Sequence, residues 1–155
     1  MKSAKRQSGF TLLEMIVVLV IIGLIAGLVG PRLFSQADNA KVQTANVQIK
    51  MLRSALETMQ VDIGRFPTAQ EGLSMLVNKP ADQALAARWH GPYLSDGVPL
   101  DPWGHPYQYS PEASGLQPFT LYSFGADGKP GGTGIDADIG YLPQQQQQQP
   151  SQPQE

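Results

Sequence analysis

The sequence predicts an α+β protein in which one long N-terminal helix packs on a small antiparallel sheet. Two observations lead to this prediction. An apolar run near the N-terminus passes into a segment whose apolar residues recur at alternating steps of three and four, which is the spacing of one helix face. The second half contains short strand-like segments between Gly- and Pro-rich stretches, in a chain of 155 residues with 16 Gly and 13 Pro.

The apolar run covers residues 10–30 and is long enough, at about 20 residues, to span the hydrocarbon layer of a bilayer as a helix. Basic residues precede it, so the positive-inside rule leaves the N-terminus in the cytoplasm and sends the rest of the chain across. A cleaved secretory signal peptide would need a small-x-small cleavage site after the run, and "GLVGPRLF" offers none. We therefore expect residues 10–30 to form a transmembrane helix.

Glu14 is the one charged residue in this run. The helix dipole tolerates a negative charge in the first turn, but that does not explain why the charge is there. If the chain is cut after Gly9, Phe10 gains an α-amine at the start of an apolar helix. A buried amine and a buried carboxylate are each unfavourable alone and tolerable as a pair. The Phe10 amine of a neighbouring copy, shifted along the axis, would pair with Glu14 and set the register of an assembly.

The helix is expected to continue past Pro31, with a bend or a local break at the proline, and to end at Gly64. Its second half is amphipathic, and the whole is a single helix of about 50 residues. The face predicted to cover the core consists of Val42, Ala45, Ile49, Leu52, Leu56, Met59 and Ile63.

Shorter elements follow. Thr68 and Glu71 form a capping box at the start of a short helix of about two to three turns in "FPTAQEGLSMLV", and "ADQALAARW" is a second candidate helix. The Gly- and Pro-rich stretch "GPYLSDGVPLDPWGHPYQYS" is a loop that leads into a strand. "YQYS" and "FTLYSFG" form a hairpin bridged by "PEASGLQP", and this sheet packs on the amphipathic half of the long helix.

Composition and side-chain types argue against several functions. The formal net charge is -2 and no basic stripe accompanies the aromatic residues, so no nucleic-acid partner is expected. The absence of Cys excludes a disulfide framework and a Cys nucleophile. His90 and His105 stand alone beside Gly or Pro, without a nucleophile motif, so the chain is not expected to be an enzyme. Structural roles are expected for the aromatic residues Trp89, Trp103, Tyr107, Tyr109 and Tyr122.

The stretch "SFGADGKPGGTGIDADIGYL" holds Asp127, Asp136 and Asp138 among six glycines. Ca²⁺ binds roughly six to eight oxygens from carboxylates and backbone carbonyls, and glycines let a loop turn its carbonyls inward. The spacing is not that of an EF-hand, and no Gly-Lys-Ser/Thr end indicates a phosphate site. Spacing alone leaves two readings open, a calcium loop and a surface loop with solvated carboxylates.

The segment "GFTLLEMIVVLVIIGLIAGLVGPRL" resembles the processing and assembly segment of type IV pilins and pseudopilins. The resemblance implies that a prepilin peptidase removes the leader after Gly9. It also implies that the new N-terminal Phe10 is N-methylated, and that Phe10 and Glu14 take part in recruiting subunits into a filament.

The stretches "GRFPTAQEGLSMLV", "LDPWGHPYQY" and "SFGADGKPGGTGIDADI" resemble the major pseudopilins, the G subunits, of type II secretion systems. This resemblance implies a type IV pilin-like fold with a C-terminal loop that binds structural Ca²⁺. It carries over Asp127 and the backbone carbonyl of Phe124 as ligands. Asp136 and Asp138 both qualify as the second carboxylate.

The resemblance also implies an organisation and a location. Residues 1–9 are the cleaved leader, residues 10–30 the transmembrane and assembly helix, and residues 31–142 a periplasmic pseudopilin domain. The Gln- and Pro-rich tail, residues 143–155, has no apolar group to bury and is expected to be disordered. The protein would cross the Gram-negative inner membrane once.

The function implied is that of the major subunit of a periplasmic pseudopilus that drives export of folded proteins across the outer membrane. Its partners would be further copies of itself, minor pseudopilins, the inner-membrane assembly platform and the prepilin peptidase. One alternative is a surface type IV pilin for adhesion or motility, although such pilins usually close a C-terminal loop with a disulfide. The other is a Ca²⁺-dependent enzyme or binding domain tethered by a signal anchor, which would need a pocket with convergent polar groups.

Overall fold

The computed structural model describes residues 10–111 and 117–143, without the side chains of residues 29–35. The predicted leader, including Gly9, and the predicted tail beyond residue 143 lie outside the described residues. The architecture is α+β, as predicted. In chain order the elements are helix α1 (Leu12–Ile63), a 3₁₀ turn (Gly72–Leu76), helix α2 (Gln83–Arg88), strand β1 (Gln108–Pro111), strand β2 (Phe119–Ser123), a 3₁₀ turn (Gly134–Asp136) and strand β3 (Ile139–Tyr141).

Helix α1 contains 52 residues and is helical throughout. The local break considered at Pro31 is therefore absent, because a proline removes only one helical hydrogen bond and the rest of a long helix remains. The helix begins after Thr11, whose Oγ1 accepts a hydrogen bond from the backbone N–H of Glu14 (3.2 Å). It ends as predicted at Gly64, which has a φ of +89° that other residues rarely adopt.

The chain divides into two compact units, Met1–Asp38 and Asn39–Glu155. In the first unit, every described side chain of residues 10–28 is exposed, and most of them are large and apolar. Among the residues that the structure describes, no helix combines the length and the apolar character needed to cross a membrane.

The second unit is held together by the predicted face of α1. All of the predicted residues from Ala45 to Ile63 are buried, and Val42 is half-buried against the same cluster. Burying each large aliphatic side chain of this kind stabilises the fold by about 1.5–3 kcal/mol. The first 3₁₀ turn and the sheet supply further buried members, which include Leu73, Leu76, Phe119, Leu121 and Ile139.

The sheet is antiparallel with the order β1-β2-β3, so β2 is the central strand. The predicted hairpin is correct, with Tyr109 opposite Leu121. Strand β3 was not predicted, because it has three residues and its middle residue is Gly140, which weakens a strand signal. Gly140 is needed there, since a Cβ would collide with the backbone of β2. β3 closes the loop that follows β2 by pairing Ile139 with Ser123.

The two short helical elements lie where the sequence predicts them, but one of them differs from the prediction in helix type. The capping box is present, since the backbone N–H of Thr68 donates to Glu71 Oε2 (2.8 Å) and that of Glu71 donates to Thr68 Oγ1 (3.3 Å). The element that follows is a single 3₁₀ segment of 5 residues rather than an α-helix. Helix α2 is capped by Asp82, whose side chain accepts from the backbone N–H of Leu85 (2.9 Å).

Aromatic side chains anchor the loops to the core. Tyr107 is buried, and its hydroxyl donates to Gln48 Oε1 on α1 (2.5 Å). The Trp89 indole N–H donates to the carbonyl of Met75 (3.0 Å). The Tyr109 hydroxyl donates to the carbonyl of Pro67 (2.8 Å). These contacts agree with the structural roles expected for the aromatic residues.

A two-point ion pair next to the capping box leads to a prediction about pH. The Arg65 guanidinium donates to both carboxylate oxygens of Glu71 (2.8 Å each), and these bonds lower the pKa of Glu71 to about 2. A depressed folded-state pKa adds stability above the unfolded value, about pH 4.3, and this stability is lost as the pH falls towards 2. We expect Glu71→Gln to lower the free energy of unfolding at pH 7 by about 1 kcal/mol, because a partly exposed pair is screened by water.

Thermal unfolding of the full chain in detergent, measured in chelator at pH 7, 4.5 and 2, tests this prediction. The difference between wild type and Glu71→Gln should shrink across that range and vanish near pH 2. Glu57→Gln is the control, because Glu57 pairs with Arg53 on an exposed helix face (2.7 Å) and should contribute little. A Glu71→Gln deficit that stays constant down to pH 2 would show that the carboxylate charge is not its source.

Candidate functional site

The candidate site is the loop of residues 124–138, which connects β2 to β3. The loop folds back on itself, because the backbone N–H of Ala126 donates to the carbonyl of Ile135 (2.9 Å). Gly125 makes this close approach possible. Its φ is +72°, and a Cβ placed on it would lie 2.7 Å from the carbonyl oxygen of Ala137 and 2.8 Å from that of Ile135. The first residues of the loop therefore lie directly against its last residues.

Two of the three predicted carboxylates interact in this loop. Asp138 is half-buried, and its Oδ2 accepts a hydrogen bond from the backbone N–H of Gly131 (2.9 Å). Its Oδ1 is buried and has no hydrogen-bond partner among the residues that the structure describes. Burial raises the pKa of the Asp138 carboxyl, the bond from Gly131 opposes this rise, and the negative charge of Asp127 adds to it. The contribution of Asp127 is the smallest of the three.

The Asp127 carboxylate is accessible to solvent and is not neutralised by any basic side chain that the structure describes. Asp127 is exposed, and its Oδ1 accepts a bond from the backbone N–H of Lys129 (3.0 Å). In the described part of the chain, neither Asp127 nor Asp138 belongs to an ion pair. An exposed carboxylate and a half-buried one with an unpaired buried oxygen are donors of the type that suits a hard cation.

The other two predicted ligands are placed differently. Asp136 ends the second 3₁₀ turn, and its backbone lies close to Gly132, while its carboxylate makes no hydrogen bond or ion pair within the described ranges. The Phe124 ring packs edge-to-face on Tyr122 with ring centres 5.3 Å apart, which anchors the first loop residue to β2. The carbonyl of Phe124 as a ligand stays a prediction.

The side chains alone do not complete a metal site. In the part of the chain that the structure describes, no three His, Asp or Glu side chains are grouped so that they could hold a metal ion. Ca²⁺ takes six to eight oxygens, so a calcium ion here would also need backbone carbonyls and water. The residues therefore fit a calcium loop in the type of donor, with two carboxylates brought together.

A buried polar cluster at the entrance to the loop was not predicted from the sequence. Asp101 is only 4% exposed, and its Oδ1 accepts bonds from the backbone N–H groups of Trp103 (3.1 Å) and His105 (2.8 Å). Its Oδ2 accepts a bond from the Ser123 hydroxyl (2.5 Å), and Ser123 Oγ accepts one from the backbone N–H of Gly125 (3.1 Å). The sequence signal was the Asp at the start of the turn "DPWGH", since Asp commonly bonds backbone groups in turns.

At the N-terminus the predicted assembly residues lie on the surface. Phe10 is 74% exposed and directly precedes the first turn of α1, which contains Glu14. The Glu14 carboxylate is exposed and, among the described residues, forms no ion pair or side-chain hydrogen bond. Thr11, which caps α1, was not predicted, although "TLLE" matches the capping-box pattern. The predicted cleavage residue Gly9 lies outside the described residues.

Comparisons with known proteins give consistent matches. The family model described as "Type II secretion system (T2SS), protein G" matches residues 32–142. The model described as "Prokaryotic N-terminal methylation motif" matches residues 4–30. The chain is 47% identical over 137 residues to the type II secretion system core protein G of Pseudomonas aeruginosa, which covers 88% of this chain and 95% of that protein. It is 41% identical over 141 residues to the protein of the same name from Vibrio cholerae, covering 90% and 94%.

A solved structure is also similar. The crystal structure of the major pseudopilin from the type 2 secretion system of enterohaemorrhagic Escherichia coli matches with a TM-score of 0.56 and 31% sequence identity. The match covers 71% of this chain and 93% of that chain.

Proposed function

Since this chain belongs to the type II secretion system protein G family, we propose that it is the major structural subunit of a periplasmic pseudopilus whose polymerisation drives export of folded proteins across the outer membrane. The observation that carries this proposal is the protein G match over residues 32–142, together with relatives matched over nearly their whole length. The relatives and the solved structure carry secretion-system and pseudopilin names, which favours this function over a surface-filament pilin.

The proposed role is structural, and the chain itself would catalyse nothing. A groove of about 510 Å³ lies between the first 3₁₀ turn and the segment before β1. Tyrosine is the only ionisable residue type that lines it, and the lining otherwise consists mostly of apolar and backbone groups. Such a groove lacks the convergent acid, base or nucleophile that an active site requires.

Processing and membrane insertion form the next part of the proposal. A prepilin peptidase would remove residues 1–9 after Gly9, and Phe10 would then be N-methylated, as the methylation motif over residues 4–30 suggests. Residues 10–30 would cross the inner membrane once and place residues 31–142 in the periplasm. The support for this is the exposed apolar surface of α1, which needs an apolar environment or a partner to cover it. The partners would be further copies, minor pseudopilins and the inner-membrane assembly platform.

Glu14 gives this assembly a register. Its carboxylate is exposed in the first turn of α1, within an apolar surface. When copies pack together, or when the helix enters lipid, that charge loses water and needs a compensating charge. The compensating cation would be the α-amine of a processed Phe10 on a neighbouring copy, which is shifted along the filament axis so that its amine lies beside Glu14.

Structural Ca²⁺ is the last part of the proposal. Asp127, with Asp138 or Asp136, and backbone carbonyls such as that of Phe124 would hold the ion. The cation would neutralise the repulsion between Asp127 and Asp138 and provide a partner for the orphaned Oδ1 of Asp138. Few apolar side chains stabilise this loop, so the ion would supply order that burial does not.

We expect the full chain in detergent to unfold at a higher temperature in 10 mM Ca²⁺ than in chelator. Extracytoplasmic Ca²⁺ sites commonly have a Kd near 10⁻⁴–10⁻³ M, so 10 mM Ca²⁺ should add about 2 kcal/mol. Asp127→Ala and Asp138→Asn should remove this difference and leave the loop sensitive to protease in both conditions. Mg²⁺ should substitute poorly, because it requires a tighter octahedron and dehydrates reluctantly.

Asp96→Ala is the matched control, because it removes an exposed carboxylate from a different loop and should keep the full response to Ca²⁺. Asp136→Asn, measured alongside, distinguishes a two-carboxylate site from a three-carboxylate site. An unfolding temperature that is the same in Ca²⁺ and in chelator would contradict the calcium proposal.

A further inference from the structure

The buried cluster at the start of the loop has a fixed direction of hydrogen bonding. A carboxylate only accepts hydrogen bonds, so the Ser123 hydroxyl must donate its proton to Asp101 Oδ2. The lone pairs of Ser123 Oγ then face away from Asp101, and one of them accepts the N–H of Gly125. Asp101 therefore orients the Ser123 hydroxyl, and Ser123 orients the Gly125 amide.

Gly125 links the pair Asp101 and Ser123 to the loop, because its amide is oriented by Ser123 and it is itself a loop residue. It lies two residues before Asp127 and packs directly against the backbone of residues 135–137, at the other end of the loop. The next residue, Ala126, donates its N–H to the carbonyl of Ile135 (2.9 Å). A fixed Gly125 amide thus sets how the first loop residues, which lead to Asp127, meet the last ones, which lead to Asp138.

The cluster is also anchored outside the loop. Asp101 Oδ1 accepts the backbone N–H groups of Trp103 and His105, and the backbone N–H of Asp101 donates to the carbonyl of His105 (2.8 Å). Asp101 is therefore held by its own turn, on a segment remote in sequence from the loop. The ring of His105 lies beside Gly128, where a Cβ would be 3.0 Å from the His105 Cε1 atom.

We propose that Asp101 and Ser123 are positioning residues for the calcium loop, which hold Gly125 in place before the ion binds. The proposal rests on the calcium binding proposed above and concerns residues that do not themselves contact the ion. A loop that is ordered in advance loses less conformational entropy on binding, so preorganisation appears as tighter affinity. Removing the Ser123 hydroxyl would leave the Gly125 N–H without its partner in a buried setting. It would also remove the hydrogen bond to Asp101 Oδ2, which would keep only the longer 3.7 Å approach of His105 Nδ1 among the contacts described.

The test is calorimetric titration of Ca²⁺ into the full chain in detergent, with limited proteolysis of the loop as a second readout. Ser123→Ala is expected to weaken the Kd for Ca²⁺ by about tenfold, as for the loss of one hydrogen bond to a charged group. The loop of this variant should be cleaved faster at Ca²⁺ concentrations that protect wild type. Thr120→Val is the matched control, because Thr120 is also a buried hydroxyl residue on β2, and within the described ranges its Oγ1 donates only to the Ser110 carbonyl, at 3.4 Å. This control should bind Ca²⁺ with the wild-type Kd.

The outcomes separate the two proposals. If wild type binds no Ca²⁺, the calcium function fails and the positioning role fails with it. If wild type binds and Ser123→Ala binds within about twofold of it, the positioning role is overturned while the calcium function stands. If Ser123→Ala does not fold, Asp101→Asn decides in the same assay, because it keeps the size of the side chain and the Oδ1 acceptor. A weakened Kd in that variant supports the proposal, and an unchanged Kd overturns it.

Discussion

Replacing Gly125 with alanine is expected to destabilise the second unit by about 2–5 kcal/mol. A left-handed conformation costs an alanine about 1–2 kcal/mol, and Gly125 has a φ of +72°. The added Cβ would also lie 2.7–2.9 Å from backbone atoms of residues 135–137. These atoms precede β3 and cannot move aside as a flexible side chain could, so overpacking adds about 1–3 kcal/mol.

Thermal unfolding of the full chain in detergent, in chelator, measures this effect without a contribution from bound ion. Gly134→Ala is the matched control, because Gly134 has a similar φ of +65° but no atom within 4 Å of the position of a Cβ. It should cost only the backbone term, about 1–2 kcal/mol. If the two variants unfold at the same temperature, the close approach of Gly125 to residues 135–137 does not constrain the loop.

The second large effect is expected at Glu14. Glu14→Ala should reduce assembled filament to a small fraction of the wild-type yield, because the partner of the Phe10 amine is lost. Glu14→Gln should be as defective as Glu14→Ala, since an amide carries no charge to pair with the amine. Membrane insertion should be unaffected, because both changes remove a charge from an apolar helix. The yield is measured by shearing or cross-linking filaments from cells and quantifying the subunit.

A second set of variants separates charge pairing from helix initiation. Glu14 also occupies the third helical position after the Thr11 cap, so a variant at Glu14 could act by fraying α1. Thr11→Ala removes the cap and keeps the carboxylate, and it should assemble close to wild-type yield. Mass spectrometry of the mature N-terminus should show N-methylated Phe10 in every variant. Normal assembly of Glu14→Gln would refute the pairing of carboxylate and amine.

The long helix and its buried face could be predicted because their signal is local. A side chain such as Leu52 or Met59 repeats at helical spacing, and burial of one face is enough to produce that pattern. β3 could not be predicted, because its central residue, Gly140, has low strand propensity. A glycine is required there because the backbone of β2 leaves no room for a Cβ. The 3₁₀ geometry of Gly72–Leu76 was also missed, since the capping box indicates a helix start but not the type of helix.

In the candidate site, too, some features could be predicted from the sequence and others depend on the tertiary fold. The residue types of the glycine loop left two readings open, a calcium loop and a surface loop with solvated carboxylates, and only the resemblance to the family favoured calcium. The electrostatic influence of Asp127 on Asp138 could not be predicted from the sequence, because it depends on the loop folding back at Gly125. The contact between Asp101 and Ser123 joins residues 22 positions apart, and neither lies in a motif that specifies the other. Such contacts depend on the tertiary fold, so a single sequence carries no periodic signal for them.

The pairing of Ser123 with Ile139 has a consequence for how this loop can vary in length. These two residues are paired in the sheet, so they bring the two ends of residues 124–138 together. The entropy of closing a flexible loop grows only with the logarithm of its length, and doubling the length adds roughly 0.6 kcal/mol. Residues inserted near Pro130, away from both ends, would therefore leave the sheet almost as stable as before. Their effect would fall instead on how Asp127 and Asp138 are placed, so that loop length would tune the affinity of the proposed calcium site separately from the stability of the fold.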